Sequence, residues 1–300
     1  MPLEHIIATT DFTEVSHRSI DVCGRLAAAN TAKVTLLHAY DPIPLGPAVS
    51  YPAPIWAGDD FDKQMKAEAE SLLDGIGKAR LADLNAETAA IASQNIAHGI
   101  CDYADNHGAD LVVVGTHGRT GVAHLLLGSV AERVVRHAPC SVLTVPATTA
   151  AATFPRHILV ATDFSTPSEV ALRDAARLGR AFDAKVTVLH VFLESRHSLH
   201  GKMVGFRSVA DVEIQLREAL DAIRKAHFDG QCGVDLVVST EPALAIADYA
   251  KNHDVDLVVM GTHGRTGMRR MLIGSVAEKT TRIADCAVWT ARPRADAEAT

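Results

Sequence analysis

One twelve-residue stretch occurs twice in this chain, at Asp110–Gly121 and at Asp256–Gly267, with a single change between the copies, Val114 to Met260. Each copy is closed by a Gly-Ser pair, Gly128–Ser129 and Gly274–Ser275. The copies lie 146 positions apart (261 − 115), about the length of one domain. A near-verbatim repeat at that distance means two copies of one fold, each carrying the same site. A length of 300 residues accommodates two domains, and a hydrophobic content of 48% suffices for two ordinary cores.

The repeated stretch begins as an apolar run bounded by Asp and Gly, the pattern of a buried strand. It has no polar alternation, which suits a parallel sheet covered on both faces. The glycines follow at the strand's C-terminal end, spaced Gly-x2-Gly-x9-Gly-Ser (Gly115, Gly118, Gly128, Ser129; Gly261, Gly264, Gly274, Ser275). Ser129 opens a helix over 130–137 and Ser275 another over 276–284. A glycine-bearing loop thus delivers the chain to a helix N-terminus, where unpaired N–H groups and the positive dipole end favour an anion such as phosphate. A second explanation needs no ligand: Ser129 with Glu132, and Ser275 with Glu278, fit the S-x-x-E capping box. Capping does not explain why the whole loop stays near-identical while the flanking helices have drifted, so phosphate binding is the preferred reading.

Around this stretch each half alternates strand and helix. The first half reads as a strand at 5–10, a helix at 15–29, a strand at 33–39, a helix at 60–84, a strand at 88–92, a helix at 96–107, the repeated strand, its helix, and a last strand at 140–145. The second half restarts at 156–162. It continues with a helix at 168–182, strands at 185–191 and 233–239, helices at 209–228 and 242–253, and a last strand at 287–291. Alternation of this kind predicts a doubly wound, right-handed parallel sheet in each half. The domains are expected at 1–147 and 155–293, joined by the small-residue linker 146–155. Inserts at 41–59 and 194–208 read as loops, and 293–300 as a tail. No helix follows the fifth strand in either half; as an exposed edge it calls for a partner, and the other half's fifth strand is the obvious one, giving a pseudo-twofold dimer within one chain.

The first strands end in Asp11 and Asp163, at the topological switch point where such sheets bind ligands. Each carboxylate could accept hydrogen bonds from a ribose or base; the alternative is an N-cap of the next helix, Asp11 with Glu14 forming a capping box. His38 and His190 occupy matching places in the second strands and read as satisfied core residues. His117 and His263 lie between the first two glycines and could touch phosphate or ribose. Arg119 and Arg265 follow, facing either phosphate or solvent.

No G-x-x-x-x-G-K-[ST], no G-x-G-x-x-G after the first strand and no G-x-S-x-G elbow occurs. No base and positioned nucleophile are evident, so no catalytic residue is assigned; the site looks built to hold a nucleotide rather than to turn it over. Net charge is −7 with interspersed charges, which argues against nucleic acid. No apolar run approaches membrane length and no signal peptide is apparent, so a cytoplasmic location is expected. Five cysteines make no C-x-x-C and read as buried small hydrophobes; no metal site is expected.

The D-F-[TS] ends of the first strands, the L-[LV]-H of the second strands and the paired glycine patterns closely resemble the universal stress protein family, in tandem two-domain form. The resemblance covers nearly the whole chain except the inserts and tail. It implies a Rossmann-like sheet of order 3-2-1-4-5 and dimerisation through the fifth strand. The family divides into members that bind ATP and members that do not, and the intact glycine motif marks the binders. Both motifs are intact here, which implies ATP, with or without Mg²⁺, at both sites. By position, Asp11 and Asp163 lie near base and ribose, and the backbones of Ala39 and Val191 read adenine. Val114, Gly115, His117, Gly118 and Arg119 line ribose and phosphates, with Gly128, Ser129 and Val130 completing the grip. The second-half matches are Met260, Gly261, His263, Gly264, Arg265, Gly274, Ser275 and Val276. The resemblance implies a nucleotide-holding switch or stress-tolerance factor working with a protein partner, open to homodimer formation. A slow ATP hydrolase or nucleotidyl-transfer enzyme on the same architecture is the alternative. The bulky Trp289 in the second fifth strand departs from the family pattern.

Overall fold

A computed structural model describes residues 3–42, 59–116, 127–193, 209–262 and 273–293. The chain divides into two compact units, the division falling between Ala152 and Thr153. The first unit runs β1 (His5–Thr9), α1 (Glu14–Asn30), β2 (Lys33–Tyr40), α2 (Asp59–Arg80), β3 (Glu87–Ala92), α3 (Ile96–Asn106), β4 (Leu111–Gly115), α4 (Ser129–His137) and β5 (Ser141–Val145). The second runs β6 (His157–Ala161), α5 (Thr166–Phe182), β7 (Lys185–Leu193), α6 (Val209–Phe228), β8 (Gly233–Ser239), α7 (Pro242–Asn252), β9 (Leu257–Gly261), α8 (Ser275–Ile283) and β10 (Ala287–Ala291). Strand order is β3-β2-β1-β4-β5 in the first unit and β8-β7-β6-β9-β10 in the second, and every pair within a unit is parallel. Both units are therefore doubly wound sheets of order 3-2-1-4-5, as expected.

The inner strands are mostly apolar because helices cover both faces, whereas the edge strands β3 and β8 are more exposed. Ile6, Ile7 and Ala8 of β1 and Leu111, Val112 and Val113 of β4 have no measurable exposure. In the first unit α1 and α2 pack together against the sheet, and α3 and α4 pack together. α1 buries Ile20, Cys23, Leu26 and Ala27 at helical spacing. It ends where Thr31 takes a left-handed conformation (φ 53°) and the chain turns back into β2. The long helix expected at 60–84 stops at Arg80, and Ala82–Leu84 tightens into a 3-10 turn. Within the linker, Ala151–Thr153 forms another 3-10 turn, and Phe154 beyond it is buried. Cys23, Cys101 and Cys140 are buried as expected, whereas Cys232 and Cys286 are half-buried; all five are free thiols.

Trp289 is accommodated by a local exchange. Its ring is 1% exposed, and its Nε1 donates to Asp174 Oδ2 at 3.1 Å. Arg177 sits 3.4 Å from the same carboxyl group and 5.9 Å from the indole centroid. The matching positions of the first unit hold Leu143 and Val22, an apolar pair. A larger ring with an N–H came with an acceptor on the helix above it, because a buried indole donor needs one. Burial raises the Asp174 pKa, opposed by Arg177 and by the indole hydrogen bond.

A matched cluster ties the opposite ends of the strands. The His5 Nδ1–H donates to the His107 carbonyl at 3.1 Å, and Nε2 accepts from Thr35 Oγ1 at 2.8 Å. The Asp110 carboxylate accepts from the amides of Glu4 and His5. His157, His253, Thr187 and Asp256 repeat the arrangement. Burial is the main cause that lowers both imidazole pKa values from the ordinary 6.5. Below that value the unfolded chain protonates first, so it binds more protons than the folded state and stability declines as pH falls. The urea midpoint is expected to be lower at about pH 5 than at about pH 7.5, and a His5→Asn, His157→Asn pair should flatten that part of the profile.

A second expectation concerns α8. Thr280 is fully buried and its hydroxyl has no partner among the described residues; the first unit has Val134 at that place. An unsatisfied buried hydroxyl costs about 1–3 kcal/mol. Thr280→Val should raise the second unit's unfolding free energy by about 1 kcal/mol, read by denaturant titration.

Candidate functional site

The C-terminal ends of β1, β2 and β4 lie side by side, with β1 in the middle. Each contributes one part of the site. From β1 the chain passes through Thr10, Asp11, Phe12 and Thr13 into α1. Phe12 takes a left-handed conformation (φ 66°), and its counterpart Phe164 does the same (φ 62°). This conformation is uncommon for a bulky residue and holds only where neighbours enforce it. The enforcing contacts are local: the Phe12 amide donates to Thr10 Oγ1 at 3.0 Å, and Thr10 Oγ1 pairs with Ser16 Oγ at 2.9 Å. Asp11 Oδ1 accepts from both the amide (3.1 Å) and the hydroxyl (2.6 Å) of Thr13. The second unit repeats these bonds with Thr162, Asp163, Ser165 and Ser168.

This geometry corrects one alternative. The N-cap of α1 is Thr13, whose side chain accepts from the Ser16 amide, and the N-cap of α5 is Ser165. Asp11 and Asp163 stand two residues earlier and brace the cap; they are not caps themselves.

From β4 the chain passes through Gly115 and Thr116 into the glycine loop. The loop's two ends are pinned: the Thr116 amide donates to the Val145 carbonyl at 3.1 Å, and the Gly128 amide donates to the Thr116 carbonyl at 2.7 Å. Thr262 and Gly274 are joined likewise at 2.6 Å. His117, Gly118 and Arg119, with His263, Gly264 and Arg265, lie outside the described residues.

The capping-box alternative for Ser129 and Ser275 is also corrected. Gly128 and Gly274 are the N-caps of α4 and α8, and Ser129 and Ser275 are the first helical residues. Among the described residues neither helix has a side-chain cap hydrogen bond from its N-cap residue. The dihedrals of Gly128 (φ −59°, ψ 144°) suit any residue, so glycine is not there for conformational reasons. What it supplies is the absence of a side chain, so the cap residue itself claims no first-turn amide. The acidic residue of that turn, Glu132, pairs with Arg136 further along the helix at 3.3 Å, and Glu278 with Arg282 at 3.2 Å. Ser129 and Val130 are exposed at this end.

The two parts of the site touch through a glycine. A Cβ on Gly261 would lie 2.9 Å from the Pro167 carbonyl oxygen and 3.3 Å from the Ser168 amide nitrogen. The end of β9 therefore lies directly under the first turn of α5, where only glycine fits. Val114 and Met260, one residue earlier, are buried. Gly261→Ala should cost the second unit about 1–3 kcal/mol through this overlap with main-chain atoms, seen as an earlier unfolding transition.

From β2 come His38 and Ala39. His38 is buried and its Nδ1–H donates to the Thr10 carbonyl at 2.7 Å; His190 does the same to Thr162. Both are satisfied interior residues, as the sequence suggested, but they face the site's own turn. Ala39 and Val191 follow at half-buried positions near the strand ends.

Two doubly wound units, each gathering an acidic turn and a glycine-capped helix at its strand ends, define a tandem α/β protein with one repeated strand-end site. The family model described as the universal stress protein family matches twice, over residues 2–146 and 155–292. The chain is 27% identical to a universal stress protein of Mycolicibacterium smegmatis over 96% of this chain and 97% of that one. It is 29% identical to one of Mycobacterium tuberculosis over 89% of each. The solved structure of a universal stress protein from Archaeoglobus fulgidus superposes with a TM-score of 0.69 at 19% identity, over 97% of both chains; that likeness speaks to fold. The chain belongs to the universal stress protein family, in its tandem two-domain form. Among the described residues no helix is long and apolar enough to cross a membrane.

Proposed function

We propose that each unit holds one adenine nucleotide, ATP foremost, and that the protein acts as a nucleotide-holding switch with little or no turnover. The observation that carries this reading is the pair of helix N-termini, α4 and α8. Each is led by a glycine, has no side-chain cap among the described residues, and follows the C-terminal end of a central strand in the chain. Unclaimed amides at the positive end of a helix dipole favour phosphate. The acidic turn at Asp11 or Asp163 stands at the end of the neighbouring strand, where a ribose or base bound with its phosphates on the helix would reach. Gly128, Ser129 and Val130, with Gly274, Ser275 and Val276, are assigned to the phosphates. The backbones of Ala39 and Val191 are assigned to the base. Val114, Gly115, Met260 and Gly261 are assigned to the floor beneath the ribose. The family resemblance adds support, since the glycine pattern that marks its ATP-binding members is intact in both halves. Mg²⁺, where present, would sit with the phosphates.

The test is calorimetric titration with ATP, together with mass spectrometry of small molecules released on denaturation. Two nucleotides per chain are expected, recovered as ATP; recovery of ADP or AMP would shift the reading to a slow hydrolase. The Ser129→Asp, Ser275→Asp variant separates phosphate binding from folding. An added carboxylate in the first turn favours the helix by about 0.3–1 kcal/mol, while it repels a bound phosphate. Retained stability with lost ATP binding is expected. Unchanged ATP affinity would remove phosphate from these helix ends.

A further inference from the structure

We infer that His38 and His190 are positioning residues for the nucleotide base: each imidazole replaces a main-chain donor, so the backbone of the next residue faces the site. The inference rests on the adenine-nucleotide reading above.

The argument begins with the ladder between β1 and β2. It pairs Thr9 with Leu37, and its last rung is the Thr10 amide donating to the Leu37 carbonyl at 3.0 Å. In a parallel ladder the next rung would run from the Ala39 amide to the Thr10 carbonyl. That rung is missing among the described backbone hydrogen bonds. The Thr10 carbonyl instead accepts from His38 Nδ1 at 2.7 Å. Because the acceptor is a carbonyl, Nδ1 must carry the proton. Strand alternation points the N–H and C=O of Leu37 and Ala39 to the β1 side; those of Tyr40 face β3, whose following residue Ser93 donates to the Tyr40 carbonyl at 2.8 Å. Beyond Leu37, β1 has already turned away, so Ala39 presents its amide and carbonyl at the fork between the two strands. A donor beside an acceptor on one residue is what an adenine edge requires.

The same imidazole steadies the acidic turn. Its ring lies 4.2 Å from that of Phe12, centroid to centroid, pressing on the residue whose left-handed conformation aims Asp11. One side chain thus fixes both neighbours of the fork, Asp11 following Thr10 and Ala39 following His38. The second unit repeats every part. The Thr162 amide donates to the Leu189 carbonyl at 2.9 Å, and His190 Nδ1 donates to the Thr162 carbonyl at 2.7 Å. Phe164 packs 4.4 Å from the His190 ring, and Val191 takes the place of Ala39.

The test compares two ligands on the full-length chain. ATP needs the fork and the helix end; inorganic tripolyphosphate needs only the helix end. A His38→Ala, His190→Ala variant should bind ATP on the order of tenfold more weakly, with tripolyphosphate affinity within about twofold of the parent. A His38→Asn, His190→Asn variant restores a donor near the Nδ1 position and should recover most of the ATP affinity. Should the alanine pair fail to fold, His38→Leu, His190→Leu fills the space without a donor and gives the same comparison. ATP affinity unchanged in the donor-less variant, or equal loss of both ligands, overturns the inference. A parent protein that binds tripolyphosphate but not ATP overturns the nucleotide reading and this inference with it.

Discussion

A parallel sheet covered by helices on both faces has only its strand ends to offer a ligand. That constraint organises each unit. The inner strands are mostly apolar because their side chains meet helices on both faces, and their main-chain polar groups are consumed by the ladders. Away from the edge strands, unclaimed amides and carbonyls among the described residues appear where neighbouring strands part company. In both units they part at the same place, between the first strand and its neighbours. There the chain leaves one strand through an acidic turn and another through a glycine loop. The site follows from how the sheet ends rather than from a pocket added to it.

The two units keep this strand-end geometry while their interiors diverge. The left-handed Phe12 and Phe164, the Thr–Ser hydroxyl pair, the carboxylate bound to the N-cap residue and the imidazole on the first strand's last carbonyl recur bond for bond. Away from the site, Trp289 and Asp174 stand where the first unit has Leu143 and Val22, and Thr280 where it has Val134. The first exchange is self-consistent, since the indole gained an acceptor. The second leaves a buried hydroxyl with no acceptor or donor among the described residues. A core tolerates replacements that keep volume and satisfy polar atoms, but the strand-end turn is fixed by several mutually dependent hydrogen bonds, and changing one partner strands the others. The near-identity of the two turns has a physical basis in that dependence.

Much of this was legible in the residues. Runs such as Leu111–Val114 can hardly be anything but buried parallel strands, and the alternation of such runs with amphipathic stretches predicts a doubly wound sheet; the order 3-2-1-4-5 was implied by the family resemblance. The acidic ends at Asp11 and Asp163 and the glycine-serine closures were visible as matched features in both halves. Cap chemistry, left open as the alternative reading, was not legible. Ser129–Glu132 and Asp11–Glu14 both fit the capping-box spacing, yet the caps are Gly128 and Thr13. A spacing rule cannot tell which residue leaves helical geometry first; that depends on where the strand before it ends. The base clusters around His5 and His157 escaped notice for a related reason. Asp110 bonds an amide 105 positions away in sequence, and nothing local marks it as a partner of the first strand.

The sequence by itself determined the periodicities, the duplication and the chemical types brought to each strand end, because these depend on burial and on local composition. Tertiary structure alone decided which donors and acceptors met. The imidazole in place of a ladder amide exists because strands distant in sequence lie about 5 Å apart, a distance at which one hydrogen bond excludes another, and the glycine under α5 because β9 ends against the first turn of that helix. Local sequence can propose a donor. Only the packed sheet settles which acceptor it reaches and which backbone groups are left over for a ligand.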